Sequence, residues 1–252
     1  MATGGDGRDF EWRTVLRHRA PLRWMHWINA LCLLVLVGSG LQVLNAHPAL
    51  YWGPVSDFGH PLLAFRDGIP GWMTIPGYRS LAMGRRWHFF FAWLWAINGA
   101  CYLAWSLASR HLRDDLAMRR ADWRGIGRSI ADHLRFRHPV GAEALRYNPL
   151  QKLAYLGVVF VLAPLAILTG LSMSPQMDSL LGGWLQLIDG RQSARSLHFA
   201  AMALFVLFFL VHVLMVVYAG PVNHLRSMLS GRFRVRWPTG AQRAKAEETG
   251  DG

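Results

Sequence analysis

Charge is scarce in this chain. Only 17% of its 252 residues are charged, against about a quarter in ordinary soluble domains. Acids are the scarcer kind, 15 Asp+Glu against 27 Lys+Arg, which leaves a formal charge of +12. Cysteine is nearly absent: Cys32 and Cys101 both lie in apolar runs, and two are too few for a disulfide framework, a cysteine-rich zinc site or an iron–sulfur cluster. No Cys-x-x-Cys-His occurs, which excludes the usual covalent attachment of haem. With 52% hydrophobic residues, the chain has far too much apolar surface to stay disordered.

What is present is a set of long runs without any charge. They lie between Arg23 and Asp57, Arg86 and Arg110, Lys152 and Asp178, and Arg195 and Arg226. Each holds the ~20 apolar residues that a helix needs to cross ~30 Å of hydrocarbon. Helices are expected at about 22–44, 85–108, 150–172 and 196–219. Four such helices leave too little polar surface for a soluble protein, so the expected fold is all-α, a four-helix transmembrane bundle. The basic residues divide 21 to 6 between the two sides, which puts both termini and the central loop in the cytoplasm. The positive charge follows this topology and favours contact with anionic lipid; nucleic acid is not expected as a partner. The first 20 residues lack a signal-peptide pattern, so the first helix is expected to act as its own insertion signal in a multi-pass protein of the bacterial inner membrane. The organisation reads as an N-terminal cytoplasmic segment 1–21, a membrane domain 22–219, and a basic cytoplasmic tail 220–252 disordered at its end. The outer loop 45–84, rich in Pro, Gly and aromatics, reads as a structured cap or a docking surface. The inner segment 109–149 alternates Arg with Leu112, Leu116, Met118, Trp123, Ile126, Ile130 and Leu134, the pattern of an interfacial amphipathic helix.

Four histidines fall inside the expected spans: His26 near the inner end of the first, His88 near the outer start of the second, and His198 and His212 on the fourth. Polar groups at membrane depth are functional candidates by default. Fourteen residues separate His198 from His212, which is ~40° short of four full turns and ~21 Å of rise, so both imidazoles share a helix face at two depths. The topology then pairs His88 with His198 at the outer level and His26 with His212 at the inner level. Two stacked imidazole pairs suit two non-covalent haems, each held from both faces. Zinc fits poorly, because neither level offers a nearby carboxylate or thiolate to complete four ligands. A proton relay is a further reading, though relays normally include Asp or Glu, which all four windows lack.

Glycines and arginines fit around these levels. Gly157 and Gly170 lie on the third helix near the inner and outer levels, with Gly38, Gly40 and Gly99 on the first two. A missing side chain lets a flat macrocycle approach the backbone, and small residues also serve plain helix packing. Arg85, Arg86 and Arg195 sit where outer haem propionates would lie, and Arg19 and Arg23 do so on the inside.

The chain resembles the bacterial cytochrome b561 and nickel–iron hydrogenase b-type cytochrome family, in particular thiosulfate-reductase-type cytochrome b subunits. The resemblance spans about residues 15–235. It is carried by Arg19-Ala20-Pro21-Leu22-Arg23-Trp24-Met25-His26-Trp27-Ile28-Asn29, Gly84-Arg85-Arg86-Trp87-His88-Phe89, Tyr147-Asn148-Pro149-Leu150-Gln151-Lys152, and Gly190-Arg191-Gln192-Ser193-Ala194-Arg195-Ser196-Leu197-His198. It implies two haem b groups on His26, His88, His198 and His212, and a quinone as exchangeable substrate at the inner face near Asn148, Gln151 and Lys152. Those three residues also suit the polar start of a helix.

The implied function is electron transfer between a periplasmic oxidoreductase subunit, such as a molybdenum enzyme, and the quinone pool, as part of a complex rather than as a stand-alone enzyme. A self-contained superoxide:quinone oxidoreductase is the alternative, with Arg79, Arg85, Arg86 and Arg195 as a positive funnel for the anion. The other histidines, His18, His47, His60, His111, His133, His138 and His224, read as surface residues of loops and tails.

Overall fold

A computed structural model describes residues 10–77, 80–134, 145–174 and 182–239. Arg79, His138 and the tail beyond 239, including its expected disordered end, lie outside the described residues.

In chain order the elements are β1 (Phe10–Leu16), α1 (Ala20–Leu44), β2 (Ala49–Leu50), β3 (Leu63–Ala64), α2 (Leu81–Ala108), α3 (Arg120–Leu134), α4 (Pro149–Ser172), α5 (Gly182–Leu187), α6 (Arg191–Tyr218), α7 (Pro221–Ser230) and β4 (Arg232–Pro238). The four apolar windows are α1, α2, α4 and α6, each beginning within five residues of its expected start. At 24–28 residues and about 1.5 Å per residue they are roughly 36–42 Å long, enough to cross a bilayer. In hydrocarbon the backbone must satisfy its own hydrogen bonds, and a helix does so without help. α6 leaves Leu207, Leu210, Leu214 and Val217 exposed along one stripe, a face suited to lipid. α4 passes through a π turn at Val158–Leu162 just ahead of Pro164, whose missing N–H and ring disturb a regular α ladder at that place.

The described chain forms two compact units. The first joins Met25–Ser106 with Leu156–Val211. All four spans meet there around Leu162, Ala201 and Phe205, with Leu33 and Trp95 packed against them. The long loop after α1 is a structured cap in this unit. Asn45 brackets Ile69, donating to its carbonyl at 3.0 Å and accepting from its N–H at 2.6 Å. Ser196 Oγ donates to the Tyr51 carbonyl at 2.6 Å, and the Gly53 N–H donates to Ser193 Oγ at 2.8 Å. Ile75 presses on Gly38, where a Cβ would come within 2.7 Å of its side chain, so Gly38 serves the cap.

The second unit joins Met1–Trp24, Leu107–Tyr155 and His212–Gly252. It contains something the sequence reading did not: β1 pairs antiparallel with β4, from Phe10↔Pro238 to Leu16↔Arg232. The alternation in Arg232–Trp237 explains it. Phe233 and Val235 are buried at 7% and 2% exposure while Arg232, Arg234 and Arg236 face out, the period-two pattern of a one-sided ribbon. Asn223 of α7 holds the free edge, donating to the Arg234 carbonyl at 2.7 Å and accepting from its N–H at 2.9 Å. Left-handed Gly220 (φ 99°) and Gly231 (φ 80°) turn the chain at both ends of α7. The amphipathic helix expected within 109–149 is α3, whose Asp122 accepts from Lys152 Nζ of α4 at 3.0 Å.

Candidate cofactor site

His88 of α2 and His198 of α6 face each other, with ring centroids 6.1 Å apart and planes crossing at 73°. Two metal–imidazole bonds of about 2.0–2.1 Å, with ~1.1 Å from each nitrogen to its ring centre, place the rings of a doubly ligated metal roughly 6.2 Å apart. The pair therefore has the separation that axial ligation from both faces requires.

Each ring is held from behind by the same device. Ser39 Oγ of α1 lies 3.1 Å from His88 Nδ1, and Thr169 Oγ1 of α4 lies 3.1 Å from His198 Nδ1. Each hydroxyl has one proton, and each donates it to its own helix, Ser39 to the Val35 carbonyl at 2.6 Å and Thr169 to the Leu165 carbonyl at 2.6 Å. The hydroxyl oxygens must then accept, so the imidazoles carry their protons on Nδ1. A second acceptor on His198 Nδ1, the Ala166 carbonyl at 3.0 Å, fits this assignment. The tautomer leaves both Nε2 lone pairs for a metal, the arrangement in which the outer partner of a histidine ligand sets its orientation.

Glycine follows the hydroxyl in both helices. A Cβ on Gly40 would come 3.3 Å from His88 Cε1, and one on Gly170 would come 3.2 Å from His198 Cε1. Gly170, expected to admit a macrocycle, admits the imidazole itself. Gly157 faces open space, with nothing within 4 Å of a built Cβ. The Ser39–Gly40 and Thr169–Gly170 pairs are what sequence reasoning missed in part. A hydroxyl beside a glycine inside an apolar span was the available signal, and only the glycines were noticed.

The arginines have their own engagements. Arg195 donates to the His47 carbonyl and so fastens the cap. Arg85 lies over the Phe89 ring at 5.6 Å. Arg23 donates to the Leu229 carbonyl at 2.6 Å, closing the C-terminal end of α7.

His26 belongs to the first unit and His212 to the second. His26 stands edge-on to Trp27 at 5.3 Å. Asn98 of α2 steadies the same turn of α1, donating to the Met25 carbonyl at 3.0 Å and to Asn29 Oδ1 at 2.8 Å. In the second unit Asn148 and Gln151 form a capping box on α4. Asn148 Oδ1 accepts from the Leu150 N–H at 3.0 Å, and Gln151 Oε1 accepts from the Asn148 N–H at 3.2 Å. Lys152 is buried and paired with Asp122. The helix-start role is thus realised by Asn148 and Gln151. Gln151 gives only its Oε1 to the cap.

Three histidines read as surface residues are not. His47 packs on Tyr51 and Phe58 at 5.6 and 5.8 Å. His111 is paired with Asp115 at 2.6 Å with only 11% of its side chain exposed. His224 lies against Phe233 at 5.4 Å, where burial, then the charges of Arg17 and His212, lower its pKa. Loop position alone misled here, because the cap and the ribbon fold those loops into small cores of their own.

A bundle of four spans with a facing, oriented imidazole pair in it defines a membrane cytochrome of the b type. Residues 17–231 match the prokaryotic cytochrome b561 family, and the chain belongs to it. It is a multi-pass membrane protein of electron transport. Among its relatives is an Azospira oryzae protein named as the protein-methionine-sulfoxide reductase subunit YedZ1, 30% identical over 204 residues, covering 79% of this chain and 89% of that one. A Cupriavidus necator protein named as a Ni/Fe-hydrogenase B-type cytochrome subunit is 28% identical over 206 residues, 78% of this chain and 76% of that one. An Azotobacter vinelandii protein of the same name is 24% identical over 246 residues, 92% and 93% of the two chains.

Proposed function

We propose that the chain is a di-haem cytochrome b subunit that passes electrons between a periplasmic oxidoreductase and the quinone pool. The observation that carries this is the 6.1 Å His88–His198 pair with both Nδ1 atoms engaged from behind. His26 and His212 would hold the second haem. Haem b, when bound, supplies a one-electron iron couple at each level. The protein holds the imidazoles in one tautomer, excludes water with apolar spans, and places small residues against the rings.

A partner-bound role is supported by the relatives, which are named as subunits. The cap supports it too, since it exposes Trp52, Val55, Phe58, Leu62 and Trp72 on the side that the charge bias assigns to the periplasm. At the opposite end, the Gln151 side-chain amide, which gives only its Oε1 to the cap, would donate to a quinone carbonyl beside Asn148 and Lys152.

Haem quantitation with reduced-minus-oxidised spectra on the purified chain tests the proposal. Two b-type haems per chain are expected, one lost in His88→Ala or His198→Ala and the other in His26→Ala or His212→Ala. A colourless wild type, a single haem, or one and the same haem lost in all four variants overturns it.

A further inference from the structure

In the second unit, α7 turns its polar side inward and its apolar side out. Asn223 holds the β4 edge, His224 lies against Phe233, and Ser227 is buried. On the other side Val222, Leu225 and Leu229 are 80%, 47% and 68% exposed. At about 100° per residue these three fall within about 60° of one another. Arg226 and Ser230, also exposed, come next round the helix on one flank. An amphipathic helix surrounded by water buries its apolar stripe and shows its polar face to solvent. α7 does the reverse.

Both ends of α7 are fastened to membrane spans within this unit. Its start follows Tyr218, the last residue of α6, after Ala219 and the Gly220 turn. Its end is held by α1, because Arg23 in the first turn of that span donates to the Leu229 carbonyl at 2.6 Å. Three residues ahead of α1, the Arg17 N–H donates to the Gly231 carbonyl at 2.8 Å. α7 has ten residues, about 15 Å of helix. It is strung between the end of one span and the start of another, at the face that the charge bias assigns to the cytoplasm.

The residues around it mark that level as the membrane interface. Exposed apolar side chains recur at three- and four-residue steps on both sides of Gly220, Leu214 and Val217 before it and Val222, Leu225 and Leu229 after it. Trp24 of α1, next to Arg23, is exposed as well, and tryptophan concentrates where headgroups meet hydrocarbon. The flanking cations Arg226 and Arg232 are exposed, which suits an anionic leaflet.

We propose that the outer face of α7 is seated in the lipid bilayer. Val222, Leu225 and Leu229 enter the zone between headgroups and acyl chains, and the Arg226 guanidinium reaches back to lipid phosphate. The polar side of α7 then carries the β1–β4 ribbon and holds it at the membrane surface.

Spin labels on the full chain test this, in nanodiscs of phosphatidylethanolamine and phosphatidylglycerol and a Cys32→Ala, Cys101→Ala background. Val222→Cys, Leu225→Cys and Leu229→Cys carry the label in turn, and Ser230→Cys samples the polar flank. Collisions with oxygen, which concentrates among acyl chains, are expected to exceed those with a water-soluble nickel chelate at the three apolar positions. The ratio is expected to fall at Ser230. Arg226→Gln is expected to lower it at Leu225, and an unchanged ratio there overturns the phosphate contact. Nickel-dominated collisions at Leu225 and Leu229 place the face in water and overturn the proposal. Exclusion of both reagents also overturns it, since protein then covers the face; dipolar broadening between labels identifies a second copy of this chain, and its absence a segment of the same copy. A second measurement needs no substitution. Phospholipid with a photoreactive diazirine in its acyl chain is expected to cross-link to the wild-type peptide Pro221–Ser230, and no adduct there overturns the proposal too.

Discussion

His88 and His198 meet with their ring centres 6.1 Å apart, and each is backed by a hydroxyl 3.1 Å from Nδ1. The two hydroxyls come from different helices, yet they are built alike: a residue bonded to its own i−4 carbonyl, followed by a glycine. On His198 the carbonyl three residues before the hydroxyl, Ala166, also accepts from the ring.

Ser39→Ala and Thr169→Val should therefore raise the potential of a haem held by His88 and His198. An imidazole that loses an acceptor at Nδ1 is a weaker donor to iron and stabilises the oxidised form less. Because the imidazole ligand itself remains in either variant, each single change should be worth less than a tenfold shift in the redox equilibrium, under about 59 mV. The double variant should exceed either alone. Potentiometric titration of the purified protein checks this.

Alanine at the glycines separates packing from cofactor contact. Gly40→Ala and Gly170→Ala put a methyl 3.3 and 3.2 Å from the imidazole Cε1 atoms, so each ring must shift by a few tenths of an ångström and outer-haem retention should fall. Gly157→Ala meets nothing within 4 Å in the protein and should leave folding intact. If a macrocycle lies over Gly157, haem content falls while the helical circular dichroism and melting of the protein are unchanged.

Asn98→Ala removes an interhelical donor that serves both the Met25 carbonyl and Asn29. Polar bonds between membrane helices average about 0.6 kcal/mol and reach about 1.7. The upper part of that range is expected, since Asn98 is buried and its loss leaves Asn29 without this contact. Unfolding in mixed micelles, compared with Asn98→Asp, measures it.

The anchor of α3 should be acid-labile. The Arg119 N–H, then Lys152, hold the Asp122 carboxyl below its ordinary value. A carboxylate with a depressed folded-state pKa stabilises fully above its unfolded value, near 3.8, and that contribution is lost as pH falls through the lower folded value. Protection factors of the amides in Arg120–Leu134, with the intrinsic pH dependence of exchange divided out, should fall on acidification in the wild type. In Asp122→Asn they should already be lower at neutral pH, by about 1 kcal/mol of local stability.

That His88 and His198 meet was legible from residue order. An imidazole in a charge-free window stands out, and a fourteen-residue interval on one helix sets a common face. Gly170 is legible in the sequence as a vacancy, and the structure adds that the His198 ring comes within 3.2 Å of where its Cβ would stand, because a glycine does not say what lies beside it. Asn148 and Gln151 were legible as a helix start, since a capping box is local.

The sequence alone determined the four spans and which histidines lie within them. These properties arise within single segments: about twenty apolar residues insert as a helix, and lipid compels that helix to satisfy its own backbone. Tertiary structure decided which hydroxyl stands behind which ring, that the cap takes Arg195, and that β1 and β4 close a ribbon beside Arg17. Those contacts join residues 39 with 88, 169 with 198 and 16 with 232, and they depend on how the elements rotate and pack, which no local pattern records.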